Sequence, residues 1–334
     1  MTYGATILDA EGLSLSAAER TLFREVDPFG FILFARNIDT PDQVRALTQE
    51  MRDAVGRDVP ILIDQEGGRV QRLRAPHWRE WTPPLDHVIA AGAHAEEAMY
   101  LRYRLIAAEL MDVGVDCNCA PQVDVADAST HPFLRNRCYG TDPAEVAAIG
   151  RAVADGLLAG GVLPVVKHIP GHGRARADSH LELPVVDVSP ADWAATDAVP
   201  FRALNDVPLG MTAHITYPAW GEAPATLNPG MIATIREDLG FDGLLMTDDI
   251  SMKALSGSPA ALAAESLAAG CDVVLLCNAD LDTRRAVAEA SGRMTEAAQR
   301  RAERAMQARR TPDAVDIPAI EAKLEALLNG RPHG

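Results

Sequence analysis

Eight short apolar runs recur along this chain, and a stretch with helical spacing follows each of them. The runs cover residues 5–9, 29–34, 60–63, 115–120, 162–166, 209–213, 243–246 and 273–276. Near-continuous apolar runs are typical of strands buried on both faces, and strands that alternate with helices pair in parallel. Eight such units are the number that closes a (β/α)8 TIM barrel. We therefore predict a single-domain α/β fold, with the barrel over residues 1–309 and a C-terminal helical appendage over residues 310–334.

Helical patterns fill the intervals between the runs. They extend over residues 13–25, 40–55, 85–113, 142–159, 190–204, 229–239 and 259–269, and over most of 281–309 and 316–328. Ser189, Asn228 and Ser258 each precede a proline, which is typical of a helix start. The rival parallel fold is the doubly wound sheet. No Gly-x-Gly-x-x-Gly follows the first strands, which argues against the dinucleotide-binding form of that fold.

Polar side chains follow the apolar runs at the points where the strands are predicted to end. The strand ends carry Asp64, Asp124, Lys167, His168, His214 and Asp248, and the following loops carry Arg137 and His180. In a TIM barrel the carboxyl ends of all strands open on one face, which holds the active site. Any single one of these groups can be a hydrogen-bonded core residue. Six of them at one mouth favour a shared site.

The stretch 162–180 carries more titratable groups than any other strand and loop. Pro170, Gly171 and Gly173 interrupt regular structure directly after the strand. The alternative interpretation is a solvated, charged surface loop. Lys and His at the end of a buried strand are poor choices for such a surface, so we favour a functional loop.

The formal net charge is −16, from 31 Lys and Arg against 47 Asp and Glu. A surface this acidic repels nucleic acid and anionic membranes, so we expect neither as a partner. No apolar run approaches the ~20 residues of a membrane span, and no signal peptide is recognisable at the first residues. Most of the five cysteines stand in or beside apolar runs, which suits buried thiols in a reducing cytoplasm.

The inventory at the strand ends indicates acid–base and nucleophilic chemistry. The chain has no Gly-x-Ser-x-Gly elbow, no phosphate-binding P-loop and no His-Glu-x-x-His helix. A metal-dependent hydrolase remains an alternative, because four potential ligands are close in sequence: His168, His172, Asp178 and His180. Since none of the usual metal-binding spacings is present, we expect no metal and no other cofactor.

Three segments resemble motifs of glycoside hydrolase family 3, in its β-N-acetylglucosaminidase branch. They are residues 63–72 (IDQEGGRVQR), residues 167–173 (KHIPGHG) with 178–180 (DSH), and residues 240–252 (GFDGLLMTDDISM). Weaker matches occur at residues 32–37 and 211–214. All matches follow the order of the family across residues 5–280, which is nearly the whole predicted barrel.

The resemblance implies a retaining, two-step glycosidase. By its motif, Asp248 is the nucleophile, and His180 is the general acid/base that Asp178 orients. The positions that match those holding an N-acetylglucosamine ring are Asp64, Arg72, Arg137, Lys167 and His168. The implied substrate is a small carbohydrate, GlcNAc linked to 1,6-anhydro-N-acetylmuramic acid in muropeptides, and the implied process is cell-wall recycling.

Two departures from the family pattern lie on the loops. The loop reads Gly173-Arg174-Ala175-Arg176-Ala177, where the family more often has Asp-Thr after the glycine. The extra cations Arg174 and Arg176 either contact an anionic aglycone or are solvated. Residues 131–140 match loosely, and we prefer Arg137 to Arg135 because Cys138-Tyr139-Gly140 follows it. Besides the metal-dependent hydrolase, the alternatives are phosphorolysis by the same site and a catalytically inactive sugar-binding barrel.

Overall fold

The computed structural model describes residues 2–176 and 183–329, and there each predicted run forms a strand of one parallel sheet. The strands are β1 (Gly4–Asp9), β2 (Pro28–Leu33), β3 (Ile61–Ile63), β6 (Cys117–Asn118), β7 (Leu163–Ile169), β8 (Leu209–Thr212), β9 (Leu244–Met246) and β10 (Val274–Leu275). Their spatial order is β10-β1-β2-β3-β6-β7-β8-β9, and all these neighbours are parallel. The predicted (β/α)8 barrel is confirmed.

The sheet closes between β9 and β10 by an unusual mixture of contacts. A parallel bridge joins Met246 to Val273, and the backbone N–H of Thr247 donates to the carbonyl of Val273 at 3.1 Å. Side-chain oxygens accept from backbone N–H groups across this seam: Asp272 Oδ2 from Leu245 at 2.9 Å, Thr247 Oγ1 from Leu275 at 2.9 Å and Asp249 Oδ1 from Cys277 at 3.0 Å. Side chains thus replace part of the strand ladder where the barrel closes.

A short antiparallel hairpin follows β3 and was not predicted. It consists of β4 (Gln65–Gly67) and β5 (Val70–Gln71). Gly67 and Gly68 form its turn with φ of +112° and +58°, which residues with a Cβ rarely adopt. Within the hairpin, Gln65 Oε1 accepts from the backbone N–H of Arg72 at 2.9 Å. This contact fixes the start of the Arg72 side chain at the barrel mouth.

Apart from the short α5 (Pro132–Arg135), which was not predicted, the helices follow the predicted sequence order, and most of them surround the barrel. They are α1 (Ala17–Val26), α2 (Pro41–Val55), α3 (Pro84–Ala91), α4 (Ala95–Asp112), α5 (Pro132–Arg135), α6 (Pro143–Ala159), α7 (Pro190–Ala195), α8 (Ala198–Ala203), α9 (Pro229–Glu237), α10 (Pro259–Ala269), α11 (Leu281–Ser291), α12 (Glu296–Gln307) and α13 (Ile317–Asn329). Two predictions of single helices were wrong. Residues 85–113 divide at Gly92 (φ 56°, ψ −122°), and residues 190–204 divide at Thr196 (φ −127°, ψ −81°).

Helix α12 covers the amino end of the barrel. Its apolar side packs into the barrel interior through Ala298, Ala302 and Ala305. On the same helix, Arg301 pairs at 3.0 Å with both Asp242 and Asp272, which precede β9 and β10. The barrel therefore has a packed floor at this end, and the open mouth lies at the carboxyl ends of the strands.

Helix α13 packs against α3 and α4 on the outside of the barrel. Leu324 is 4% exposed and belongs to the main apolar core. Arg79, before α3, pairs at 2.8 Å with Glu321 on α13 and with Glu109 on α4. All five cysteines are buried free thiols. Across the described residues, no helix is long and apolar enough to cross a bilayer.

Candidate active site

A cavity of about 460 Å³ opens at the carboxyl ends of the strands. Six of the predicted site residues line it: Asp64, Arg72, Arg137, Lys167, His168 and Asp248. They come from five different loops and strand ends and are brought together only by barrel closure. The other two predicted residues, Asp178 and His180, lie outside the described residues.

Asp64 follows β3 and lies between two cations on the cavity wall. Its Oδ1 accepts from Lys167 Nζ at 2.8 Å, and its Oδ2 accepts from Arg72 Nη2 at 3.0 Å. Burial alone would raise the pKa of Asp64, but Lys167 and Arg72 together hold that pKa well below its usual range. Asp64 is therefore ionised, and its oxygens retain acceptor capacity for ligand hydroxyls.

Glu66 is a buried carboxylate behind the same wall, and sequence reasoning did not select it. It accepts from Arg137 Nε at 2.9 Å and Nη2 at 2.7 Å, and Lys167 Nζ lies 2.8 Å from its Oε1. Burial would raise the pKa of Glu66, but these two cations lower it to about 2. One sequence signal was available. Lys167 and Arg137 were both predicted to lie at the barrel mouth, and two neighbouring cations there require more negative charge than Asp64 alone supplies.

His168 lies between an acid and a cation. Its Nδ1 is 2.7 Å from Asp124 Oδ2, and its Nε2 is 3.3 Å from Arg137 Nη2. Because a guanidinium only donates, Nε2 accepts from Arg137 and the ring proton lies on Nδ1, facing Asp124. Asp124 also accepts from the backbone N–H of His172 at 2.7 Å. Burial would raise the pKa of Asp124, but His168 and these hydrogen bonds lower it to about 2.

Asp248 follows β9 and faces the same cavity. The backbone N–H of Asp249 donates to its Oδ1 at 2.8 Å. Burial alone would raise the pKa of Asp248, but His214, His168 and this hydrogen bond hold it below its ordinary value. An ionised carboxylate facing a polar cavity has the chemistry of a nucleophile or a general base.

Asp249 lines the cavity beside Asp248, but its carboxylate is engaged in the barrel seam. Besides the Cys277 contact, it accepts from the backbone N–H of Ser251 at 3.0 Å and from Ser251 Oγ at 2.7 Å. Its backbone carbonyl accepts from His214 Nε2 at 2.9 Å. Burial raises the pKa of Asp249 to about 6. Asp249 therefore braces the loop that carries Asp248.

The structure bears on two choices left by the sequence, between Arg137 and Arg135 at the site and between substrate contact and solvation for the loop arginines. Arg137 lines the cavity, whereas Arg135 is exposed and reaches the carbonyl of Asp127 at 3.4 Å. Arg174 donates to Asp197 at 2.7 Å and to Thr196 at 2.7 Å, which favours a structural role at the base of its loop. Among residues 2–176 and 183–329, no three His, Cys, Asp or Glu side chains form a group suited to a metal ion.

Comparison with known proteins identifies the family. Residues 10–308 match the profile described as the glycosyl hydrolase family 3 N terminal domain. The chain belongs to glycosyl hydrolase family 3. The resemblance predicted from the three motifs is thereby confirmed, and this family 3 chain is a glycoside hydrolase.

Relatives of this family 3 chain carry more specific names. A Beta-hexosaminidase of Nitrosospira multiformis is 36% identical over 291 residues, which are 83% of this chain and 81% of the relative. One of Methylococcus capsulatus is 40% identical over 278 residues, covering 81% and 82%. The crystal structure of NagZ from Neisseria gonorrhoeae in complex with N-trifluoroacetyl-D-glucosamine is similar at a TM-score of 0.81 and 28% identity, covering 98% of this chain and 99% of that one.

Proposed function

We propose that this chain is a retaining exo-β-N-acetylglucosaminidase that removes terminal GlcNAc through a covalent glycosyl-enzyme. The observation that carries the proposal is the position of Asp248, an ionised carboxylate on a cavity whose other walls hold charged groups suited to sugar hydroxyls. The names of the relatives agree, since they are β-hexosaminidases and a NagZ bound to an N-acylated glucosamine derivative.

The sugar ring is assigned to the charged wall of the cavity. Asp64 accepts from ring hydroxyls, because its carboxylate is ionised and has acceptor positions beyond those used by Lys167 and Arg72. Lys167 and Arg137 donate to ring oxygens. Such contacts hold the anomeric carbon against Asp248, and orientation of this kind removes much of the entropic barrier to attack.

The chemical steps are those of a double displacement. Asp248 attacks the anomeric carbon while a general acid protonates the departing glycosidic oxygen, and water then releases the sugar from the enzyme. We assign the acid/base role to His180 and its orientation to Asp178. This assignment rests on the loop motif, since both residues lie outside the described residues.

The natural substrate that we propose is GlcNAc linked to 1,6-anhydro-N-acetylmuramic acid in muropeptides, in cell-wall recycling. The cationic side chain of Arg69 supports an anionic aglycone, because it lines the cavity at the mouth of a chain whose net charge is −16. We propose a cytoplasmic location, since five buried free thiols suit a reducing compartment.

The test is hydrolysis of a chromogenic β-N-acetylglucosaminide, with the product anomer followed by NMR. We expect β-GlcNAc to appear first and to mutarotate later. First appearance of the α anomer, or no hydrolysis at all, contradicts the proposal. A parallel reaction with phosphate tests the phosphorolysis alternative, which predicts a sugar 1-phosphate. The disaccharide GlcNAc-1,6-anhydroMurNAc serves as the natural substrate.

A further inference from the structure

We propose that Glu66 is a positioning residue that fixes the two cations of the sugar-binding wall, Lys167 and Arg137. The inference rests on the proposed function, because it concerns how those cations meet a sugar ring. The Glu66 side chain is completely buried, and it stands behind the residues that line the cavity. Its effect on a ligand therefore passes through its two partners.

The first observation is the geometry of the Glu66–Arg137 pair. Nε and Nη2 of the guanidinium both donate to Glu66, at 2.9 and 2.7 Å. A two-point contact between a planar guanidinium and a carboxylate fixes orientation as well as position. Nη1 is the Arg137 nitrogen that takes no part in these two hydrogen bonds. It is therefore the nitrogen that can donate into the cavity. Glu66 thus determines the direction in which Arg137 donates.

The second observation is the position of Lys167 between two carboxylates. Its Nζ lies 2.8 Å from Glu66 Oε1 and 2.8 Å from Asp64 Oδ1. The Lys167 ammonium has three N–H donors, and these two contacts use two of them. The direction of the third N–H is thereby fixed. The side chain is only 2% exposed, which leaves it little room to move. Lys167 therefore presents one fixed donor to the cavity that it lines.

The third observation is that the backbone of Glu66 is itself fixed, by a buried arginine on the side away from the cavity. Its backbone carbonyl accepts from Arg102 Nη2 at 2.6 Å, and Arg102 is fully buried. The same Nη2 donates to the carbonyl of Thr82 at 2.8 Å. Gly67 permits this approach, because a Cβ there would lie 1.9 Å from Arg102 Nη2. The hairpin strand β4 is therefore held rigidly under the cavity wall.

Charge balance explains why a carboxylate is needed at this position. Without the charge of Glu66, Lys167 and Arg137 would be two buried cations with Asp64 as the nearest shared acid. Like charges in a buried site repel, and at least one of them would turn toward water. Movement of Lys167 or of Arg137 would displace a hydrogen-bond donor to the sugar, although Glu66 itself does not contact the sugar.

The test compares Glu66→Gln with the wild-type chain on the chromogenic glycoside. The amide keeps the shape but removes the charge, and its NH₂ faces a cation. We expect kcat/KM to fall by about 10²-fold, because a displacement near 1 Å can cost that much. The inhibition constant of free GlcNAc should rise as well, since the lost contacts hold the sugar in the ground state.

Asp116→Asn is the matched control at the opposite end of the barrel. Asp116 is also a buried acid, it accepts from the backbone N–H of Ile61 at 2.8 Å, and it pairs with Arg52 and Arg309. We expect this variant to lower the melting temperature and to leave kcat/KM and the GlcNAc inhibition constant unchanged. If Glu66→Gln also lowers only the melting temperature, Glu66 is merely structural and the inference is wrong.

Glu66→Asp provides a second variant if Glu66→Gln does not fold. It keeps the charge but shortens the side chain, so one carboxylate no longer reaches both cations. We expect about a tenfold lower kcat/KM, and a folded Glu66→Asp with wild-type kcat/KM overturns the inference. An inactive wild-type chain would instead contradict the proposed function, so the two failures are distinguishable.

Discussion

Asp248 and Asp249 are neighbours of the same residue type, and their surroundings give them opposite properties. Around Asp248, charged and polar groups outweigh burial and keep its pKa below the ordinary value. Around Asp249, burial prevails and raises the pKa to about 6. The contrast supports the assignment of the nucleophile to Asp248, because its carboxylate stays ionised near pH 6, where a large fraction of Asp249 is protonated.

Asp248→Asn is predicted to lower kcat by several orders of magnitude while the protein stays folded. The amide cannot form the covalent intermediate, but it preserves the volume of the side chain. A slow fluorinated substrate should label the wild-type chain at Asp248, as read by peptide mass spectrometry. Asp249→Asn is the matched control, and covalent labelling of Asp249 itself would reverse the assignment.

At the level of single residues, the sequence identified groups by motif and strand-end position. That reasoning found Asp64, Lys167 and His168, which the structure places on one cavity. It missed Glu66 because the residue lies beyond the strand end, inside a hairpin whose fold depends on Arg102. Long-range charge compensation of this kind has no local sequence pattern, since its partners are separated by 71 and 101 residues.

Among the elements, the seam between β9 and β10 depends on side chains as much as on strand pairing. Thr247 Oγ1 satisfies the buried N–H of Leu275. Thr247→Val keeps the shape and leaves that donor unpaired, so the free energy of unfolding should fall by about 1–3 kcal/mol. Urea denaturation measures the change.

Thr6→Val is the matched control for the seam. Thr6 is also a buried threonine on a barrel strand, but its Oγ1 has no hydrogen-bond partner within the described residues. Removing a buried hydroxyl without a partner should be neutral or stabilising. Equal losses in the two variants would mean that the Thr247 hydroxyl contributes nothing specific to barrel closure.

Helix α13 provides the second prediction for the elements. We propose that residues 310–329 fold together with the barrel, because Leu324 is buried in the main core. Leu324→Ala should lower the free energy of unfolding by about 2–5 kcal/mol within one transition. Glu325→Ala, on the exposed side of the same helix, should change little. A separate early transition caused by Leu324→Ala would show that α13 unfolds independently.

The elements were predicted well where apolar periodicity decides the structure, as in the eight strands and in α2, α6 and α10. The breaks at Gly92 and Thr196 were not predicted. Helical spacing continues through both positions, and the prediction gave too little weight to two residues that interrupt helices, Gly92 with its φ of 56° and Pro200 four residues after Thr196. The hairpin was missed because β4 is polar in sequence, and its burial comes from ion pairs instead of apolar side chains.

The whole molecule should lose stability in two stages as the pH falls. Burial lowers the pKa of His87 to about 3 and that of His172 to about 4. Below pH 6.5 the unfolded chain therefore binds more protons than the folded protein, and the free energy of unfolding decreases. Glu66 and Asp124, whose pKa is lowered to about 2, extend the decrease below pH 4.5. Asp249, with its raised pKa, opposes the decrease between about pH 4 and 6.

Urea unfolding at pH 7.0, 5.5 and 4.0, set to span ordinary histidine and carboxyl pKa values of about 6.5 and 4.3, tests this dependence. The urea midpoint should decrease at each step. His87→Leu should reduce the decrease between the first two values, because it removes one of the two histidines that cause it. A midpoint that is independent of pH would contradict the assigned shifts.

Helix α12 fills the amino end of the barrel, and this affects how the protein acts on long glycans. A sugar ring enters the cavity and leaves it through the same mouth, because the barrel interior behind the charged wall is filled. Within the described residues the filled interior leaves a polymer no passage to thread through, so under the proposed function each encounter removes one terminal unit and ends with dissociation. The rate on a glycan mixture should then follow the number of chain ends present, and two samples of equal mass but different length should be consumed at different speeds.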